Sequence, residues 1–239
     1  MTQYPWTPFT VDLMCRAADR SGYHTLLAEH IARYLSGTEC VYEPGCGTGD
    51  LSLALGPHVT ELTASDIDPL PLQALKDRMR EKGIGNIRVL TEDAFALPAE
   101  RKYDAAVFCY FGMPEQILAH CRAHVRKDVF IIKRSYSKHR FSASEVPITG
   151  DSLARMRTLL EEKGIPYTLE LLSAEMGQPF RDLDEARRFF SLYSRDSDPQ
   201  PFTDEMLLKR LVRGPEPDFP FYLPSRKDVG LIHFSMEDL

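Results

Sequence analysis

The chain has 239 residues, 43% of them hydrophobic, with 29 Lys and Arg against 35 Asp and Glu for a formal net charge of −6. That length suits one sizeable core, or one core with a smaller lid. The acidic balance argues against a broad nucleic-acid surface, which needs surplus cations to displace counterions, but leaves room for a local basic pocket.

Cys15, Cys40, Cys46, Cys109 and Cys121 are odd in number, scattered, and form no C-x-x-C pair. A disulfide framework or structural zinc site is therefore not expected, and the usage fits a reducing cytoplasm. The opening "MTQYPWTPFT" lacks a basic region followed by a long apolar stretch, so no signal peptide is expected. No apolar run approaches membrane-spanning length.

Residues 11–35 carry apolar groups at helical spacing, broken at Ser21-Gly22 into two helices. A strand then ends at Glu43, and a helix runs from about Asp50 to Leu55. "HVTELTASD" is the second strand, followed by a helix from Pro71 to Lys82; "NIRVLTED" is the third strand and "YDAAVFCYF" the fourth. A helix bearing Ile117, Leu118, Cys121 and Val125 leads into the fifth, "DVFIIKRS". The fourth and fifth read as strands buried on both faces. Regular alternation of strand and helix predicts a parallel sheet with helices on both sides. Further on, the spacing predicts helices over 151–163, 183–193 and 203–213, strands in "YTLELLSAEM" and "VGLIHFSM", and a Pro- and aromatic-rich loop in "GPEPDFPFYLP".

The first strand-to-helix turn of such a sheet is where a ligand is expected. Here it reads "VYEPGCGTGD", with glycines at alternate positions. A Walker phosphate loop would need glycine at Asp50 and lysine at Leu51, and a dinucleotide fingerprint would also need glycine at Asp50. A carboxylate there would repel a pyrophosphate. The remaining pattern, Glu43 followed by Gly45, Gly47 and Gly49, resembles the class I S-adenosylmethionine-dependent methyltransferases. Three more segments match in order: "TASDIDP", "TEDAFALP" and "YDAAVFCYFG". The resemblance covers roughly residues 38–135, with a looser fit of 165–239 to a final reversed strand.

The resemblance implies a Rossmann-like α/β fold with a seven-stranded mixed sheet, mostly parallel with the last strand antiparallel, helices on both faces and a helical cap. Residues 1–37 would form an N-terminal helical lid, and 38–239 the methyltransferase domain with a cap insertion at about 178–226. It implies S-adenosylmethionine as cofactor and S-adenosylhomocysteine as product. Glu43 would face the cationic amino-acid end, with Gly45, Cys46, Gly47 and Gly49 forming the loop. Asp66 would accept both ribose hydroxyls, a task for two acceptor oxygens. Asp93 and Ala94 would hold the adenine edge, Ile67 and Phe95 would flank the ring, and Cys109 would lie beside the methyl. Asp68 caps the next helix ahead of Pro69.

Methyl transfer needs alignment, exclusion of water and, for a protonated acceptor, a proton acceptor. The fourth strand runs into Cys109-Tyr110-Phe111-Gly112-Met113-Pro114, not the Asn/Asp-Pro-Pro-Tyr/Phe motif of enzymes that methylate exocyclic amines of bases. The fifth ends in Lys133, Arg134 and Ser135, which would repel a divalent cation, so no metal is expected. Lys133, Arg134, Lys138, His139 and Arg140 form a cationic stretch that either receives an acceptor carboxylate or phosphate or is a solvated turn. Tyr110 and His139 are the catalytic candidates. Tyr4, Trp6, Tyr110, Phe111, Lys133 and Arg134 are the candidate acceptor contacts, with Phe9, Phe189, Phe190, Tyr193, Phe219 and Tyr222 as further aromatic walls or as packing. His120 and His124, four apart on a helix, read as exposed. The expectation is a cytoplasmic enzyme, monomer or homodimer, acting on a small anionic or aromatic molecule. A nucleic-acid or protein methyltransferase, a nicotinamide dehydrogenase and a non-catalytic cofactor-binding protein are the alternatives.

Overall fold

The computed structural model describes residues 6–100, 102–148, 152–196 and 201–239. A capping box opens it: Thr10 N donates to Thr7 Oγ1 and Thr7 N donates to Thr10 Oγ1, with Pro8 in the first turn. α1 (Pro8–Asp19) ends before Ser21-Gly22, and α2 (Tyr23–Ala32) follows, as the spacing predicts. Next come β1 (Cys40–Pro44), α3 (Asp50–Leu55), β2 (Glu61–Asp66), α4 (Pro69–Lys82), β3 (Ile87–Thr91), β4 (Tyr103–Cys109), α5 (Pro114–His124) and β5 (Val125–Arg134). α6 (Leu153–Glu162), β6 (Thr168–Glu175), β7 (Gln178–Phe180), α7 (Leu183–Tyr193), α8 (Asp204–Leu208), β8 (Val212–Glu216), β9 (Phe219–Leu223) and β10 (Arg226–Ser235) complete the chain.

The main sheet has the order β3-β2-β1-β4-β5-β10-β6. Its first five strands pair in parallel, and β10 runs antiparallel to both β5 and β6. This is the expected Rossmann-like mixed sheet with a reversed last strand. The order turns back between β1 and β4, so the crevice for a ligand lies beyond their carboxyl ends.

Strand parity divides the core. Val41, Ala105, Val107, Phe130 and Ile132 face α1, α2, α3 and α4 through Ala17, Leu27, Ile31, Leu51 and Leu75. Tyr42, Ala106, Phe108, Val129 and Ile131 face α5 and α6 through Ile117, Cys121, Met156 and Leu160. Burial on both faces explains why β4 and β5 read as unbroken apolar runs.

A third cluster is built largely from the segment that links β6 to β10. Phe180, Phe189, Phe190, Phe202, Leu207 and Leu223 pack there with Leu13 of α1. Arg16 ties the same helix to this region by a two-pronged bond to Glu185, at 2.7 and 3.0 Å. Two expectations are corrected here. The 203–213 helix stops at Leu208, and the Pro-rich loop forms the β8–β9 hairpin of a second sheet, β7-β9-β8. The expected helical cap region is therefore mixed. Among the described residues no helix is long and apolar enough to cross a membrane.

Candidate active site

The β1–α3 turn adopts the left-handed conformation at Gly45, Gly47 and Gly49, with φ of 68°, 55° and 70°. Two bonds pin it to the end of β2: Cys46 N donates to Ser65 O at 2.9 Å and Gly47 N to Asp66 Oδ2 at 3.0 Å. A Cβ at Gly45 would come within 2.1 Å of the Phe111 ring, and one at Gly47 within 2.8 Å of the Trp6 ring. Turn geometry and the chain's own rings thus account for the glycines before any ligand is considered.

The electrostatics beneath the loop are more telling. Glu43, at the end of β1, is 2% exposed and accepts a hydrogen bond from Ser52 Oγ. Burial raises its carboxyl pKa to about 8, opposed by that bond and reinforced by the charge of Asp50. No ion pair reaches Glu43 among the described residues. Asp50 differs: it pairs with Arg78 and accepts from Thr48 Oγ1 at 2.6 Å, which anchors the start of α3.

Asp66 ends β2 half-buried and also accepts from Asp68 N, through Oδ1 at 3.0 Å. Both oxygens therefore hold one backbone N–H each, and a carboxylate has about four acceptor sites. Ile67 beside it is 56% exposed, with no neighbour claiming its side chain as core. Asp68 caps α4 by accepting from Leu70 N at 2.9 Å. After β3, Asp93 is exposed and accepts from Phe95 N at 3.0 Å, while Ala94 is buried. Phe95 stacks on Phe111, with ring centroids 5.0 Å apart and planes parallel. Phe111, expected as an acceptor contact, lies over Gly45 and stacks on Phe95.

Cys109 ends β4, and Tyr110 follows it. Tyr110 has φ of 54°, rare for a residue with a side chain, and its hydroxyl lies 2.8 Å from that of Tyr23. Burial pushes the Cys109 thiol well up, which suits an inert thiol rather than a nucleophile. Lys227 Nζ stands 5.5 Å from the Tyr110 ring centroid and 5.9 Å from that of Tyr23. Alongside runs a cleft of about 470 Å³ whose lining includes Arg134, Tyr136, His139, Arg140, Phe141 and Arg195. His139 bonds Ser142 Oγ at 3.0 Å through Nδ1, and burial lowers its pKa.

Lys133 corrects the sequence reading. It is 1% exposed and donates to the carbonyls of Phe111 and Gly112 at 3.2 and 2.7 Å. Its strand parity points it under the β4–α5 turn. Arg134, of opposite parity, does reach the cleft. His120 and His124 are likewise buried, at 4% each, against Tyr42 and each other. No metal cluster forms among the described residues.

Of the aromatic walls, Tyr4 lies outside the described residues, and Trp6 lies against Gly47. Phe9 holds the Arg188 guanidinium, with its carbon 3.8 Å from the ring centroid, and Phe219 sits among Arg16, Arg20 and Arg181. Phe189, Phe190 and Tyr193 pack in the third core cluster, and Tyr222 bonds Glu175. Phe9, Phe189, Phe190, Tyr193, Phe219 and Tyr222 are thus held by contacts within the chain. Tyr23, Arg195 and Lys227 were missed from sequence. Lys227 had a usable signal: the first residues of a reversed last strand fall at the carboxyl ends of its parallel neighbours.

A family model described as a methyltransferase domain matches residues 41–128. No curated protein matches as a sequence relative. Among solved structures, YcgJ of Bacillus subtilis is 14% identical with a TM-score of 0.54, covering 89% of this chain and 98% of its own. A proposed methyltransferase of Bacillus halodurans is 16% identical with a TM-score of 0.54, over 90% and 99% of the two chains. The precorrin-6y C5,15-methyltransferase of Geobacter metallireducens is 13% identical with a TM-score of 0.51, over 88% and 87%. At these identities the structural likeness speaks for the fold.

Proposed function

We propose that this chain is a class I S-adenosylmethionine-dependent methyltransferase, a reading supported by the methyltransferase-domain match over residues 41–128 and by the fold, and that it binds S-adenosylmethionine at the β1–α3 loop and methylates a small anionic or aromatic acceptor. The observation that carries the cofactor reading is Glu43, a buried carboxyl without an ion-pair partner at the end of β1. Such a group carries a cost that a ligand cation relieves. The cofactor's ammonium is that cation.

The bound cofactor supplies an electrophilic methyl on a sulfonium. The chain's residues do the rest. Glu43 holds the ammonium, and the spare acceptor sites of Asp66 take the ribose hydroxyls. Ile67 and Phe95 flank the adenine, whose edge meets Asp93 and the Ala94 amide. Trp6 and Phe111 cover the loop and exclude water, and their faces favour a sulfonium. Cys109, at the end of β4, and Tyr110 just after it lie beside the methyl, with Tyr110 and the arginine-lined cleft on the acceptor side. We place this enzyme in the cytoplasm as a monomer or homodimer.

Asp66→Ala is expected to weaken S-adenosylhomocysteine binding by roughly 1.5–3 kcal/mol, the range for hydrogen bonds to a charged group. Calorimetric titration of the folded variant checks this, and unchanged affinity removes Asp66 from the ribose. A nucleic-acid acceptor is the second reading, favoured by the arginines of the cleft and its neighbour: Arg134, Arg140, Arg195, Arg210 and Arg226. Oligonucleotide binding with a steep inverse dependence on salt would select it.

A further inference from the structure

Two cations share the acceptor end of the crevice with no acid between them. Lys227 Nζ faces the rings of Tyr110 and Tyr23, and the Arg140 guanidinium carbon lies 4.5 Å from the Tyr136 centroid and 5.8 Å from that of Phe141. Arg140 Nη1 is buried and has no hydrogen-bond partner among the described residues. Burial, and next the charge of Arg140, lower the Lys227 amine from its usual value to about 8.

The titratable and charged groups around Lys227 are few. Tyr23 and His24 come from α2, Cys109 from the end of β4 and Tyr110 from just after it, Arg140 from the segment after β5, and Asp50 from α3. Asp50 is already taken by Arg78 and Thr48. Asp228 is the one acid among the described residues lining either arginine cleft, and it accepts from Ser173. Neither Arg140 nor Lys227 forms an ion pair with a described residue. Half-buried like charges near each other cost stability unless an anion enters between them.

Resting on the methyltransferase reading, we propose that Arg140 and Lys227 form a subsite for an anionic group, carboxylate or phosphate, on the methyl acceptor. Arg140 lines both clefts, neither of which is lined by a residue of the glycine loop, and Lys227 stands over the Tyr110 ring, so we assign the pair to the acceptor rather than the cofactor. The anion is held against Tyr110, at the end of the strand beside the methyl. Its arrival favours the charged form of Lys227, so binding draws in a proton near pH 8.

The probes are benzoate and phenyl phosphate, with neutral benzyl alcohol as control, titrated calorimetrically into protein loaded with S-adenosylhomocysteine. Buffers of different ionisation enthalpy report the proton. The expected result is binding of at least one anion and not of the alcohol, with uptake of about half a proton at pH 8. Lys227→Met and Arg140→Gln should each weaken anion binding about tenfold or more, leaving S-adenosylhomocysteine affinity within about twofold. Lys227→Arg should retain the anion and lose the proton uptake, a split that misfolding does not produce.

Absence of anion binding to wild-type protein, or unchanged binding in the two neutral variants, overturns the proposal. So does a variant in which S-adenosylhomocysteine weakens about tenfold while 5′-methylthioadenosine, lacking the amino acid, does not; the pair would then serve the cofactor's carboxylate. If S-adenosylhomocysteine itself fails to bind, the cofactor reading falls, and the same anion titration on free protein still decides the subsite.

Discussion

Glu43→Gln is expected to weaken S-adenosylhomocysteine binding by about 2–4 kcal/mol, the cost of removing one partner of a buried charged contact. The same substitution should make the free protein more stable at high pH. The wild-type carboxyl has a folded-state pKa of about 8 against an ordinary value of 4.5. The folded state therefore binds the proton more tightly than the unfolded one. Stability falls as pH rises through that window, by up to about 1.4 kcal/mol per pH unit, and the full penalty is present above it. The neutral amide of the variant carries no such penalty. Melting temperatures should thus match near pH 4.5 and favour the variant at pH 9. The cofactor, needing the carboxylate, should release about one proton on binding wild-type protein at pH 7, and none on binding the variant. A variant less stable than wild type at pH 9 would mean that Glu43 is already compensated.

Arg78→Met should have the largest effect on folding. Asp50 has a side chain 6% exposed, and Arg78 is its charge partner while also reaching Asp19 at 2.6 Å. Removing Arg78 leaves a buried carboxylate held by Thr48 alone, a loss of about 3–5 kcal/mol. For a chain of this size that corresponds to a melting temperature lower by about 6–20 °C. The double variant Asp50→Leu with Arg78→Met should recover most of the loss, since the uncompensated charge is gone. If the double variant is no better than the single one, Arg78 acts through packing against α1 rather than through charge. Calorimetric melting of the three proteins separates these outcomes.

The sheet was legible because its signals are local. Apart from Lys133, β4 and β5 are apolar on every residue that the two faces bury, and Asp68, Gly49 and Gly83 punctuate helices where sequence alone places them. The β8–β9 hairpin was not legible, because Pro215, Pro217 and Pro220 argue against a strand. Pro220 escapes this by falling in the register gap between Arg213 and Glu216, where it pairs with neither neighbour.

At the site, the loop, Asp66 and Asp93 follow from strand ends that sequence marks well. Lys133 and Arg134 look equivalent in sequence, yet strand parity sends one under a turn and the other to a cleft. His120 and His124 are buried because α5 presents that face to Tyr42, a contact invisible without the fold. Tyr23, Lys227 and Arg195 come from elements far apart in the chain. Only the placement of β10 between β5 and β6 brings Lys227 to Tyr110.

Titration of S-adenosylmethionine, S-adenosylhomocysteine and NADH into the purified protein by calorimetry tests the central claim most directly. Micromolar binding of the two sulfur cofactors, with proton release at pH 7 and no binding of NADH, is the expected result. Binding of NADH without either sulfur cofactor, or of none of the three, would contradict the assignment of the Gly45 loop and of Glu43 beneath it.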